Sequence, residues 1–134
     1  MRMRFQLLIA AVFAATAAPV LAHHSFAAEY NIANTVVLTG TLSSFEWVNP
    51  HAFLTVAVRD DSGGTKLWRI EGGPISFLME SGWSPEMLQE MMKSRDAIIV
   101  TGYRARKLPD ASFSGGAWAK EIQLGDGRKM LFHD

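Results

Sequence analysis

Apolar and polar residues alternate along two adjoining segments between Val36 and Val58, two Pro- and Gly-bounded helical segments follow a third short strand, and two more strand-like segments come after them. Together these observations predict a mainly β protein, an OB-like small barrel of five strands with a helical crossover between strands three and four.

Each element has its own signal. Val36, Leu38, Gly40 and Leu42 alternate with polar residues, and the phase then slips at Ser43-Ser44 so that Phe45 and Trp47 continue the pattern. A slip of this kind reads as a bulge, and a bulged first strand can serve both halves of a small barrel. Asn49-Pro50 makes the turn, and Ala52, Leu54, Val56 and Val58 alternate as strand two, up to the polar turn Asp60-Asp61-Ser62-Gly63-Gly64. Strand three runs from Leu67 to Glu71, with Trp68 and Ile70 on one face. After Gly72-Gly73, Pro74 opens a short helix from Ile75 to Glu80 that Gly82 stops. Ser84 caps a second helix with Pro85 in its first turn and Met87, Leu88, Met91 and Met92 on one side. Strand four is Ala97 to Tyr103 and strand five Trp118 to Leu124; the stretch from Leu108 to Gly116 between them reads as linker. Asp126-Gly127 is a hairpin signal leading into a short final strand, Lys129 to Phe132.

The start of the chain reads differently. Arg2 and Arg4 precede the apolar run from Leu7 to Ala15, and Val20-Leu21-Ala22 has the small-residue form of a cleavage site. Residues 1–22 therefore read as a signal peptide, removed to leave a single domain from His23 to Asp134. An uncleaved anchor is the competing reading, but the unbroken apolar stretch falls short of the roughly 20 residues a spanning helix needs, and Pro19 interrupts its end. Cleavage predicts a periplasmic or secreted protein without a membrane span. It also removes two of the 13 basic residues, leaving 11 against 13 acidic ones. A slightly acidic protein outside the cytoplasm has neither attraction for nucleic acid nor access to it. With no cysteine in the chain, thiol chemistry is excluded and packing or a ligand must take the place of disulfides.

Three histidines carry the chemistry that the sequence suggests. Cleavage after Ala22 would free the α-amine of His23 beside its own imidazole, a chelating pair to which His51, just after the Asn49-Pro50 turn, could add a third nitrogen. Alternatively the amine, the following amide and the His24 ring could hold Cu(II) in a tetragonal arrangement. Copper is favoured because magnesium and calcium prefer oxygen, and structural zinc commonly uses cysteine. His51, Phe53 and Thr55 share the strand face opposite Ala52, Leu54 and Val56, so His51 should be accessible. Against this stands the ordinary reading, in which His23-His24 is a soluble chain start and His51 only bonds to its turn.

Other residues weigh less. Glu46 and Glu71 could be further ligands or solvated strand charges; Met79, Met87, Met91 and Met92 read as core filling rather than a Cu(I) site. His133 reads as a frayed-end residue and Trp83 as an exposed contact, while Trp47 and Trp68 read as core. Arg104, Arg106 and Lys107 form a small basic patch of the kind that protects a strand edge. Neither a G-x-S-x-G elbow, an H-E-x-x-H helix nor a glycine-rich phosphate loop is present, so no enzyme is expected.

The segments His23-His24-Ser25-Phe26, Gly40-Thr41, Glu46-Trp47-Val48-Asn49-Pro50-His51-Ala52, Thr101-Gly102-Tyr103 and Asp126-Gly127-Arg128-Lys129 together resemble domain-of-unknown-function family 6152, small secreted bacterial proteins. Glu46, Asn49, Pro50 and His51 match its central motif, and His23 and His24 its mature start. The resemblance implies an extracytoplasmic location and agrees with the barrel; it implies no activity. The residues thus lead to an extracytoplasmic protein binding copper through His23, His24 and His51. The alternative is a metal-independent binding module, using Trp83, Phe53 and the basic patch to engage an envelope protein or a small ligand.

Overall fold

A computed structural model describes residues 26–134. The expected signal segment, with His23 and His24, lies outside the described residues. A helical turn at residues 26–29, α1, leads into β1 (Tyr30–Glu46), followed by β2 (Phe53–Arg59), β3 (Thr65–Glu71), α2 (Ile75–Glu80), α3 (Pro85–Ser94), β4 (Ile98–Ala105), β5 (Gly115–Gln123) and β6 (Lys129–Leu131). The protein is mainly β, with all six strands in one sheet ordered β3-β2-β1-β4-β5-β6.

The long β1 has two partners because it changes neighbour midway. Its first part pairs with β4 as far as Gly40, opposite Ile98, and from Thr41 it pairs with β2. The register shifts between Leu42 and Ser44, where the sequence pattern slips. An extra residue there bends the strand and increases its twist. All neighbours in the sheet are antiparallel, but β5 also pairs in parallel with β3, Trp68 lying opposite Gly115 and Glu71 opposite Trp118. The pairings β1–β2–β3–β5–β4–β1 therefore form a continuous cycle.

Strand β5 begins at Gly115, three residues before the alternation becomes visible in the sequence. Gly115 and Gly116 are buried strand residues rather than linker. Neither carries a side chain to show a period, yet Gly115 has to be glycine, since a Cβ there would lie 2.6 Å from the Trp68 ring.

One hydrophobic core runs beneath these elements. Leu54 and Val56 of β2, Trp68 and Ile70 of β3, Ile98 and Val100 of β4, and Ala117, Ala119 and Ile122 of β5 face into it. Helix α3 is capped by Ser84, whose Oγ accepts from the Met87 amide at 3.1 Å, and ends at Arg95 in the left-handed region with φ 56°. It buries Leu88, and Met87, Met91 and Met92 pack against the same core, whereas Met79 of α2 is exposed. Trp83 departs from the sequence expectation. It is buried at 2% exposure, edge-on to Phe132, and its indole N–H donates to the Leu131 carbonyl at 2.7 Å. Gly82, with φ 97°, turns the chain inward immediately before it, so the glycine that ends one helix also drives the tryptophan into the core.

Candidate functional site

The cis Asn49–Pro50 turn delivers His51 to the start of β2, and the Asn49 side-chain carbonyl accepts from the Ile75 amide at 3.3 Å, tying that turn to α2. Beside it, a backbone ladder draws three distant segments together. The amides of Ala52 and Gly72 donate to the carbonyls of Gly73 (3.2 Å) and Ala52 (2.8 Å), and the Gly73 amide donates to the Phe132 carbonyl at 2.8 Å. The residues adjoining two rungs of this ladder are His51 and His133. Their imidazole centroids lie 5.6 Å apart, with the rings inclined at 69°.

His133 is accordingly no frayed end. Phe132 is completely buried and anchors the terminus, leaving the His133 side chain 15% exposed with its ring 4.6 Å from that of Trp118. Burial lowers the His133 pKa below the ordinary histidine value, with the nearby Asp134 carboxylate opposing it. The Asp134 Oδ1 lies 2.6 Å from the buried Nδ1, the contact through which that carboxylate opposes the effect of burial.

Glu71, at the end of β3, is the hub on the other side of His51. Its Oε1 meets His51 Nδ1 and its Oε2 accepts from the Tyr30 hydroxyl. The Glu71 side chain is 13% exposed and that of His51 is 40% exposed. Burial, with a smaller contribution from the charge of Glu29, pushes the Glu71 carboxyl up to about 7. This carboxylate is thus neither a solvated strand charge nor an open ligand, because both its oxygens are engaged. Glu46, its counterpart in the sequence reading, forms an exposed ion pair with Arg69 at 3.0 Å.

The entering chain reaches this cluster. Phe26 packs on Tyr30 at 5.4 Å and edge-on against Trp118 at 5.5 Å, and Trp118 in turn stacks on Tyr103 at 5.6 Å. Arg106 secures the turn from outside, its Nε donating to the Ala27 carbonyl and its amide to the Glu29 carbonyl, both at 2.8 Å. Of the basic patch, Arg106 is therefore a clasp, Arg104 lies over the Trp68 ring at 5.0 Å, and Lys107 borders a pocket. That pocket, of about 520 Å³, is also lined by Glu29, Tyr30, Phe53, Arg69 and Glu71.

Among the described residues, no group of three or more His, Cys, Asp or Glu side chains is arranged to hold a metal ion, and no helix is long and apolar enough to cross a membrane. Of the three expected ligands, only His51 falls within the described residues. Tyr30, Trp118 and His133, which the sequence reading does not place beside His51, come from β1, β5 and the residue after Phe132. Their one local signal is the final strand, whose buried Phe132 leaves little freedom to the residue after it.

Fold and site define a small, mainly β protein with a half-buried cluster of histidine, carboxylate and aromatic side chains. The chain belongs to a family of unknown function (DUF6152), whose model matches residues 11–112. The match covers the Glu46-to-Ala52 motif, while Trp118 and His133 lie beyond it. No curated protein and no solved structure is significantly similar to the chain.

Proposed function

We propose that this is an extracytoplasmic transition-metal-binding protein, copper being the favoured ion, with His51 and the mature terminus at His23 as ligands and His24 as auxiliary. The observation that carries this reading is the lodging of Phe26 against Tyr30 and Trp118, beside His133 and His51. His23 is three residues before Phe26 and so within about 10 Å of it even when the chain is extended. A nitrogen-rich ligand set without cysteine suits Cu(II). Export by cleavage after Ala22 is part of the proposal, since only cleavage frees the amine. The closed cycle of pairings with a bulged first strand supports an OB-like barrel as the scaffold.

Native mass spectrometry of protein secreted from its own leader, with and without one equivalent of Cu(II), tests the reading. A mass beginning at His23 that gains one copper, and fails to do so in His51→Ala, is the expected result. A chain with the correct start that retains no copper at micromolar concentration would sink it.

The pocket of about 520 Å³ beside Glu71 favours a second reading, a metal-independent module for a small ligand. Its lining combines Phe53, under the guanidinium of Arg69 at 3.8 Å, with acidic Glu29 and basic Lys107. On this reading His51→Ala leaves ligand uptake intact, and binding measured against a panel of small polar compounds separates the two.

A further inference from the structure

We infer that His133 is a second side-chain imidazole ligand of the His51 metal site and that Glu71 is the positioning residue of His51. This rests on the metal-binding reading above and adds two residues to it.

The first support is the distance between the rings. With a metal–nitrogen bond of about 2.0 Å and the ring centre about 1.1 Å behind the nitrogen, two imidazoles on one ion have centroids about 4.4 Å apart at a right-angled arrangement and about 6.2 Å apart when opposite. The His51 and His133 centroids are 5.6 Å apart, inside that interval. Two histidines separated by 82 positions in the sequence have no local reason to meet; the ladder through Ala52, Gly73 and Phe132 brings them together.

The second support is which nitrogen is already in use. His51 faces Glu71 through Nδ1. A carboxylate that accepts the Nδ1 proton holds the tautomer whose Nε2 carries the lone pair, the arrangement in which a histidine binds a metal. Tyr30 holds the other carboxylate oxygen, so the orienting group is itself fixed. His133 is held for another reason, its ring against Trp118 and its backbone anchored by buried Phe132, while its Nδ1 lies 2.6 Å from the Asp134 carboxylate. With Nδ1 of each ring against a carboxylate, Glu71 for His51 and Asp134 for His133, the two neighbouring imidazoles keep Nε2 for an ion.

The test is pulsed EPR of the secreted protein carrying one equivalent of Cu(II), which counts bound imidazoles, together with a competition measurement of affinity. For wild type, signals from more than one imidazole are expected. His133→Gln should lose one of them. Glu71→Gln should keep the same number while weakening binding about 10-fold or more, the effect of disturbing a group behind a ligand, and Glu71→Asp should restore part of that loss. Because His133 also packs, His133→Phe is made in parallel, keeping an aromatic ring on Trp118 while removing both nitrogens; a folded His133→Phe protein must show the same missing imidazole. Copper bound by folded His133→Gln or His133→Phe with unchanged affinity and imidazole count overturns the inference and leaves the proposed function standing. A wild-type protein with a correct start and no copper overturns both.

Discussion

Phe132 donates its amide to the Lys120 carbonyl at 2.9 Å while its ring covers the backbone of Gly72, so the last strand is held by β5 on one side and by the end of β3 on the other. A Cβ on Gly72 would lie 2.8 Å from Cδ1 of that ring. This closure sets His133 beside His51.

Phe132→Ala should therefore cost more than an ordinary core truncation near a terminus. A cavity beside Trp83 and an unanchored end predict a loss of about 3–5 kcal/mol, read by urea denaturation. Nearly unchanged stability would mean that the last strand contributes little to the fold.

Arg106→Ala should act on the entering chain and leave the sheet intact. It removes the donor to the Ala27 carbonyl, a bond worth about 1 kcal/mol. Amide exchange should accelerate at residues near 26–30 and remain unchanged in β2 and β3. Uniform acceleration across the sheet would assign Arg106 a global role instead.

The metal-free protein should lose stability as pH rises from about 4.5 to about 7, through Glu71. Burial, with a smaller contribution from the charge of Glu29, raises its pKa from 4.5 to about 7. The folded state then holds the proton more tightly than the unfolded chain, so the group's contribution is fully present below the unfolded value and disappears as pH climbs through the folded one. Denaturant midpoints at pH 5 and pH 8 should differ more for wild type than for Glu71→Gln, and equal differences would contradict the assignment.

Ser84→Ala should destabilise the protein by about 1 kcal/mol, since it leaves the Met87 amide without its cap. Ser84→Asp should recover most of that loss. A shift in thermal midpoint for alanine but not for aspartate is the expected pattern.

The helices were legible from the sequence because their signals are local. Ser84 with Pro85, and Gly82 beyond Glu80, lie within a few residues of what they specify. The bulge was equally legible, since a two-residue period that slips at Ser43-Ser44 records the break wherever the partner strand lies. The same locality explains what was misread. Gly115 and Gly116 display no period, so the parallel pairing of β5 with β3 has no trace in the residues that make it. Trp83 looks like a loop residue until the direction in which Gly82 turns the chain is known.

By itself, then, the sequence determined the periodic middles of the strands, the caps and the accessible face that carries His51, all consequences of short-range periodicity and backbone preference, while the first six residues of β1 and the first three of β5 lie outside the pattern it shows. Only the tertiary structure decided that Tyr30, His51, Glu71, Trp118 and His133 share one site. Their meeting depends on strand register and on the rungs joining Ala52, Gly73 and Phe132, and register is a relation between distant segments that neither segment encodes alone.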